Sequence, residues 1–200
     1  MDNLNFVAGQ LRPLLISKTR AKLLAVFLNN PGRIFYVREL VRAVGEQINA
    51  VRAELARLEK AGMVSSEARA NRKFFGFRKE YIFQPELANI IAKSSGLGGD
   101  IIAERNKLGK VKYATLSAGF IRRRPVGASD VDLLIVGNVV LPQLAASVKK
   151  TEDEIGREIN YTVMSDDEFT FRKRRKDPFV MKILENAGVV LIGDEEDLRH

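Results

Sequence analysis

Two aspartates one residue apart, Asp130 and Asp132, stand at the head of the apolar run LLIV at positions 133–136. On an extended chain alternate side chains project to one face, so both carboxylates can reach a shared cation. Oxygen-only donors suit Mg²⁺, which retains waters that substrate phosphates can replace. The run that follows is apolar on both faces, which takes a strand into a core and leaves its carboxylates at the exposed beginning. Taken alone, Asp-x-Asp also occurs in loops with no chemical role, and the motif by itself favours that structural reading.

Composition removes several other chemistries. The 200 residues contain no cysteine and a single histidine, at position 200. Thiol catalysis, disulfide frameworks and cysteine-ligated zinc are therefore excluded, and most histidine mechanisms with them. The longest apolar runs, such as LLAVFL at 23–28, are far too short to span a bilayer, and the first fifteen residues lack a basic start followed by a continuous apolar segment. The expectation is a cytoplasmic protein with no membrane partner. The net charge of +8 is unevenly placed: residues 1–95 hold 16 Lys and Arg against 8 Asp and Glu, and the remainder is balanced at 17 against 17. A basic half gathers polyanions because neutralised phosphates release counterions, although ordinary solubilising charge gives the same count.

The basic half carries a recognisable order of elements. Residues 18–29 read as a helix stopped by NNPG, and residues 37–44 as a second helix ending at Gly45. In the third, within 46–62, Ile48, Val51, Leu55 and Leu58 recur at helical spacing before Gly62. Residues 63–83 then form two β-like runs around the turn-prone RANRK. Three helices followed by a basic hairpin make a winged helix-turn-helix pattern, whose third helix enters the major groove of DNA. With Ile48, Val51 and Leu55 turned to the core, Gln47, Asn49 and Arg52 face outward, and Asn and Arg suit adenine and guanine edges. For Arg69, Arg72 and Lys73 on the hairpin, phosphate contact is the expectation. The partner is then double-stranded DNA, and this class of reader implies a homodimer on a pseudo-palindromic site.

A Ser- and Gly-rich stretch at 92–100 marks the change in charge balance and reads as a linker, dividing the chain into domains at 1–92 and 100–200. Beyond it, 100–108 can form an amphipathic helix, 111–120 a first strand, 130–137 a second, 141–155 a helix and 157–164 a third strand. Ser165 and Glu168 form a capping box, Asp177-Pro178 opens another helix, and GVVLIG at 188–193 closes with a strand. The alternation predicts an α/β fold of two domains. The basic run at 172–176 projects all round a helix axis and reads as a solvated face.

The segment TLSAGFIRRRPVGASDVDLLIV, 115–136, resembles the nucleotidyltransferases of the DNA polymerase β superfamily, particularly the minimal kanamycin-type branch. The resemblance implies a mixed sheet flanked by helices. It implies that the Asp-x-Asp pair, with a third carboxylate from a later strand, holds Mg²⁺ ions supporting attack on a nucleoside triphosphate. On that basis Asp130 and Asp132 are the catalytic and metal-ligand candidates, functional or vestigial, and Gly119, Arg122 and Ser129 the nucleotide-binding ones. The chain departs from the pattern at three places. Ala118-Gly119 stands where a Gly-Ser pair is expected, Arg123 stands where a glycine usually follows the arginine, and the third carboxylate falls at Asn160, with Glu158 the nearest substitute. The whole arrangement is similar to MarR/ArsR-like prokaryotic regulators fused to such a domain. The function expected is a DNA-binding transcriptional regulator with a degenerate, nucleotide-sensing nucleotidyltransferase-like domain. The alternative is an active Mg²⁺-dependent nucleotidyltransferase acting on a protein or RNA.

Overall fold

The structure, a computed structural model, describes residues 17–124, 127 and 130–199. The chain is a mixed α/β protein with two sheets, and it divides into two compact units, Met1–Ser95 and Gly96–His200.

The first unit contains helices α1 (Lys18–Leu28), α2 (Val37–Val44), α3 (Ile48–Lys60) and α4 (Gln84–Ser94) and a three-stranded sheet of β1 (Phe35–Tyr36), β3 (Arg72–Phe77) and β2 (Val64–Arg69), in that spatial order. Each boundary has a local cause. Ser17 accepts the Arg20 N–H at the start of α1. Gly45, at φ 64°, ends α2 in the left-handed conformation a side chain resists. The apolar stripe of α3 buries Val51, Leu55 and Leu58, and the helix packs against α1 and α2, whose Leu23, Leu24, Phe27 and Leu40 are likewise buried. Two buried charges pin these helices together. The Lys22 ammonium donates to the Val44 carbonyl at 3.0 Å and to Glu46 at 2.7 Å, tying α1 to the α2–α3 turn. Burial alone would raise the pKa of Glu54, but hydrogen bonds from Arg20 and Arg57 hold its carboxyl below the usual value.

The hairpin is fully paired from Val64↔Phe77 to Arg69↔Arg72, with Ala70 at φ 49° in the two-residue turn. The three helices and hairpin read from residues 18–83 are thus present. Helix α4 is an element the sequence reading did not assign. The expected linker at 92–100 is corrected as well: α4 runs through Ser94, and Gly96–Ala103 is a helix, α5, that buries Leu97, Gly98, Gly99 and Ile101. Leu97 and Ile101, one turn apart, supply its apolar anchor.

The second unit is built on a mixed four-stranded sheet in the order β6 (Tyr161–Met164), β5 (Leu133–Val139), β4 (Gly109–Ser117), β7 (Ala187–Ile192). β5 and β6 are parallel, and the other pairs are antiparallel. Helices α6 (Ala118–Ile121), α7 (Leu141–Ile155), α8 (Asp166–Arg174), α9 (Pro178–Glu185) and α10 (Glu195–Arg199) complete it. Leu133, Leu134, Ile135 and Val136 are at most 1% exposed, as a strand apolar on both faces requires. Each contributes roughly 2 kcal/mol of burial as an upper estimate. Ser165 caps α8 by accepting the Glu168 N–H, and Asp177 caps α9 by accepting those of Phe179 and Val180.

Three strand expectations are corrected. The first strand ends at Ser117 and turns at once into α6, because the Ser117 hydroxyl caps the Phe120 N–H. The second begins at Leu133, so Asp130 and Asp132 precede it. The third begins at Tyr161, so 157–160, including Glu158 and Asn160, is not strand. The first helix of this unit stops at Ala103 rather than reaching Leu108.

Candidate functional site

Asp130 and Asp132 meet at a cavity of about 290 Å³ between the end of β4, α6 and α9. Its lining includes Ser117, Ala118, Gly119, Arg122 and Arg124 from one side and Phe179, Lys182, Ile183, Glu185 and Asn186 from the other. That volume lies at the lower end of small-molecule clefts, roughly 300–1,000 Å³. The two walls approach very closely. Gly188 lies so near α6 that a Cβ there would sit 2.6 Å from the Ala118 nitrogen, and the Ala118 N–H donates to the Asn186 carbonyl at 2.9 Å. Of the residues named for nucleotide binding, Gly119 and Arg122 line this cavity, while Ser129 lies outside the described residues.

The two aspartates occupy unlike environments. Asp130 is exposed: one carboxylate oxygen accepts the Gly127 N–H at 2.9 Å, and the other is 3.0 Å from the Lys182 ammonium. Lys182 first, then Gly127, hold its pKa below the usual carboxylate value. Asp132 is 2% exposed. Arg157 Nη1 donates to its Oδ2 at 2.9 Å and Nη2 to its Oδ1 at 3.3 Å, while the Asn160 N–H donates to Oδ2 at 3.2 Å. The chain continues the β5–β6 ladder irregularly here, with the Asp132 N–H donating to the Asn160 carbonyl at 2.7 Å. That bond sets the buried carboxylate beside the segment that carries Arg157.

The donor set does not fit the metal centre that the resemblance implies. Both aspartates are engaged by cations and backbone N–H groups. Glu158 is exposed and enters through its carbonyl oxygen, which accepts from Arg157 at 2.9 Å. Among the described residues no group of three or more His, Cys, Asp or Glu side chains is arranged to hold a metal ion. The hydroxyl missing from Ala118-Gly119 has a neighbour in Ser117, but that side chain is already the cap of α6.

Arg157 and Lys182 are the residues that sequence reasoning missed. Each lies far along the chain from the aspartate it holds, and the only signal was a basic residue directly before the expected third-carboxylate segment. Arg123 adds a second guanidinium beside Arg157: the two lie over the Phe120 ring at 5.5 and 5.2 Å. Burial, and then the like charge of Arg157, lower the Arg123 pKa from its usual value. Its φ of 52° is the left-handed conformation that a glycine would adopt with less strain.

In the first unit, Gln47, Asn49 and Arg52 are exposed on or just before α3, as its stripe requires. Arg52 opens onto a groove of about 660 Å³ between α3, the start of α2 and the hairpin, where Arg38, Asn71, Arg72 and Lys73 also lie. Arg38, Arg52 and Arg72 form no ion pair with the described residues; Arg72 stacks over Tyr36 at 5.0 Å. The remaining hairpin cations are already engaged, Arg69 with Glu67 at 2.6 Å and Lys73 with Glu59 at 3.0 Å. The Ser66 hydroxyl, and then Lys73, hold the Glu59 pKa below its usual value. In the second unit the basic run at 172–176 is largely engaged: Arg172 pairs with Glu168 and Asp177, Lys173 donates to the Asp197 carbonyl, and Arg175 stacks on Phe171.

No described helix is long and apolar enough to cross a membrane. Comparison with protein-family models, with curated proteins and with solved structures returns no match in any of the three.

Proposed function

We propose that this chain is a DNA-binding transcriptional regulator, in which the first unit acts as a winged helix-turn-helix reader and the second binds a nucleotide as effector. The observation that carries the reading is the outward face of α3, where Asn49 and Arg52, three residues apart, share a side of the helix beside the groove that also holds Arg38 and Arg72. An asparagine and an arginine with free donors can reach adenine and guanine edges, while the flanking guanidinium groups take phosphates. The excess of cations over anions in this half supports the same partner. A homodimer places two such helices on successive turns of the duplex.

The cavity of the second unit supports an effector role better than transfer chemistry. Arg122 and Arg124 offer donors to phosphates, and Phe179, Val131 and Ile183 offer an apolar side to a base. Among the described residues no third carboxylate joins Asp130 and Asp132, and both are already held by cations, an arrangement that does not suit the two-metal mechanism of an active nucleotidyltransferase. Regulation requires that nucleotide bind the DNA-competent and DNA-incompetent states with different affinity.

Selection of duplexes from a randomised pool tests the reader. An enriched common sequence is expected from the wild-type chain, with the preference relaxed at one base pair in Arg52→Ala. A pool that stays random in sequence while being retained by charge would overturn the proposal.

A further inference from the structure

The carboxylate of Asp132 decides whether the cavity can work with a metal. A divalent ion needs open lone pairs, and Mg²⁺ needs several oxygens in near-octahedral array. Both oxygens of Asp132 face the Arg157 guanidinium, and one also takes the Asn160 N–H. Both oxygens of Asp130 are engaged as well, by Gly127 and Lys182. The arrangement is more than a missing ligand, because a planar fork of donors fits a carboxylate in two-point fashion and already delivers the positive charge that a metal would bring.

We infer that the cavity binds a nucleoside triphosphate without a divalent metal, the guanidinium of Arg157 supplying at Asp132 the charge that a metal supplies in a two-metal site. The inference rests on the nucleotide-binding reading of the second unit. Charge accounting supports it. With Asp132 set against Arg157 and Asp130 against Lys182, the lining still offers Arg122 and Arg124 against the single carboxylate of Glu185. Neither arginine forms an ion pair with the described residues, so both forks are available to phosphate oxygens. The Phe120 ring, shared by Arg123 and Arg157, holds a further guanidinium close by. Removing Arg157 alone would turn a bare carboxylate toward the phosphates, and that site would then gain from a metal.

Calorimetric titration of the full chain with ATP, once in excess Mg²⁺ and once in excess EDTA, tests this. The wild-type Kd is expected to agree between the two buffers within about threefold. In Arg157→Gln the affinity in EDTA should fall about tenfold or more, and Mg²⁺ should restore it. The charge-balanced double variant Asp132→Asn with Arg157→Gln should bind in EDTA again, and it keeps the test open if the single variant does not fold. A purely structural role for Arg157 would not make binding respond to Mg²⁺. Wild-type binding that is tenfold or more tighter with Mg²⁺ would overturn the inference while leaving the nucleotide reading intact. No ATP binding in either buffer would overturn both.

Discussion

Replacing Arg157 by alanine removes both side-chain donors from a carboxylate that is 2% exposed, leaving Asp132 with the Asn160 N–H alone. Breaking a buried pair from one side costs about 3–5 kcal/mol, because the desolvated partner stays behind without its counter-charge. The Arg157 side chain is itself 28% exposed, so water can reach the space it vacates, and the lower end of the range applies, about 3 kcal/mol. For a unit near 100 residues, each kcal/mol moves the melting temperature by about 4–8 °C, which predicts a fall of about 12–24 °C. Circular dichroism and tyrosine fluorescence report it, since Tyr113 and Tyr161 lie in this unit and the chain has no tryptophan. Adding Asp132→Asn should recover most of the loss, because an amide left without the guanidinium costs far less than a charge. A loss below about 1 kcal/mol in Arg157→Ala would refute the reasoning, since a pair that weak is of the solvent-exposed kind. The carboxylate would then be open to a metal.

Three further outcomes are expected. Arg52→Ala should weaken specific duplex binding by about 1–3 kcal/mol if the guanidinium reads a guanine, and fluorescence anisotropy on matched and mismatched duplexes separates this from a uniform phosphate loss. Gly188→Ala forces a Cβ to within 2.6 Å of the Ala118 backbone, so the urea midpoint should fall by the equivalent of about 1–3 kcal/mol, with the cavity wall displaced. The Glu54 pKa is lower in the folded chain than in the unfolded one, so its contribution is complete above the ordinary carboxylate range and is lost as pH falls through the depressed value. Glu54→Gln should flatten that acid limb in a series of melts.

Much of the fold was legible because local chemistry and burial agree. The stripe of Val51, Leu55 and Leu58, the left-handed stop at Gly45, the caps at Ser165 and Asp177 and the two-faced apolar run of Leu133–Val136 each act within a few residues. The start of α5 at Gly96, within the expected linker and ahead of the helix expected from residue 100, escaped notice because glycine disfavours helix on propensity, and this turn is held by burying Leu97 and Ile101 in a tertiary context that no local pattern carries. The candidate site was legible as an address but not as a state. Asp130, Asp132, Gly119 and Arg122 line one cavity, yet the groups that neutralise the aspartates come from Arg157 and Lys182, 25 and 52 positions away. Sequence spacing shows which carboxylates can share a face and not which cations fold onto them. Even the shared face was misplaced, because regular pairing starts one residue after Asp132 and leaves Asp130 in the exposed turn before it.

The most direct test of the proposed function is an anisotropy titration of the full chain against duplex from its own upstream region and against a scrambled duplex, each with and without ATP in EDTA. The account predicts binding that is tighter for the upstream duplex, weakens as salt rises, and shifts several-fold with ATP while no metal is present. Equal affinity for both duplexes, unmoved by ATP, would contradict it.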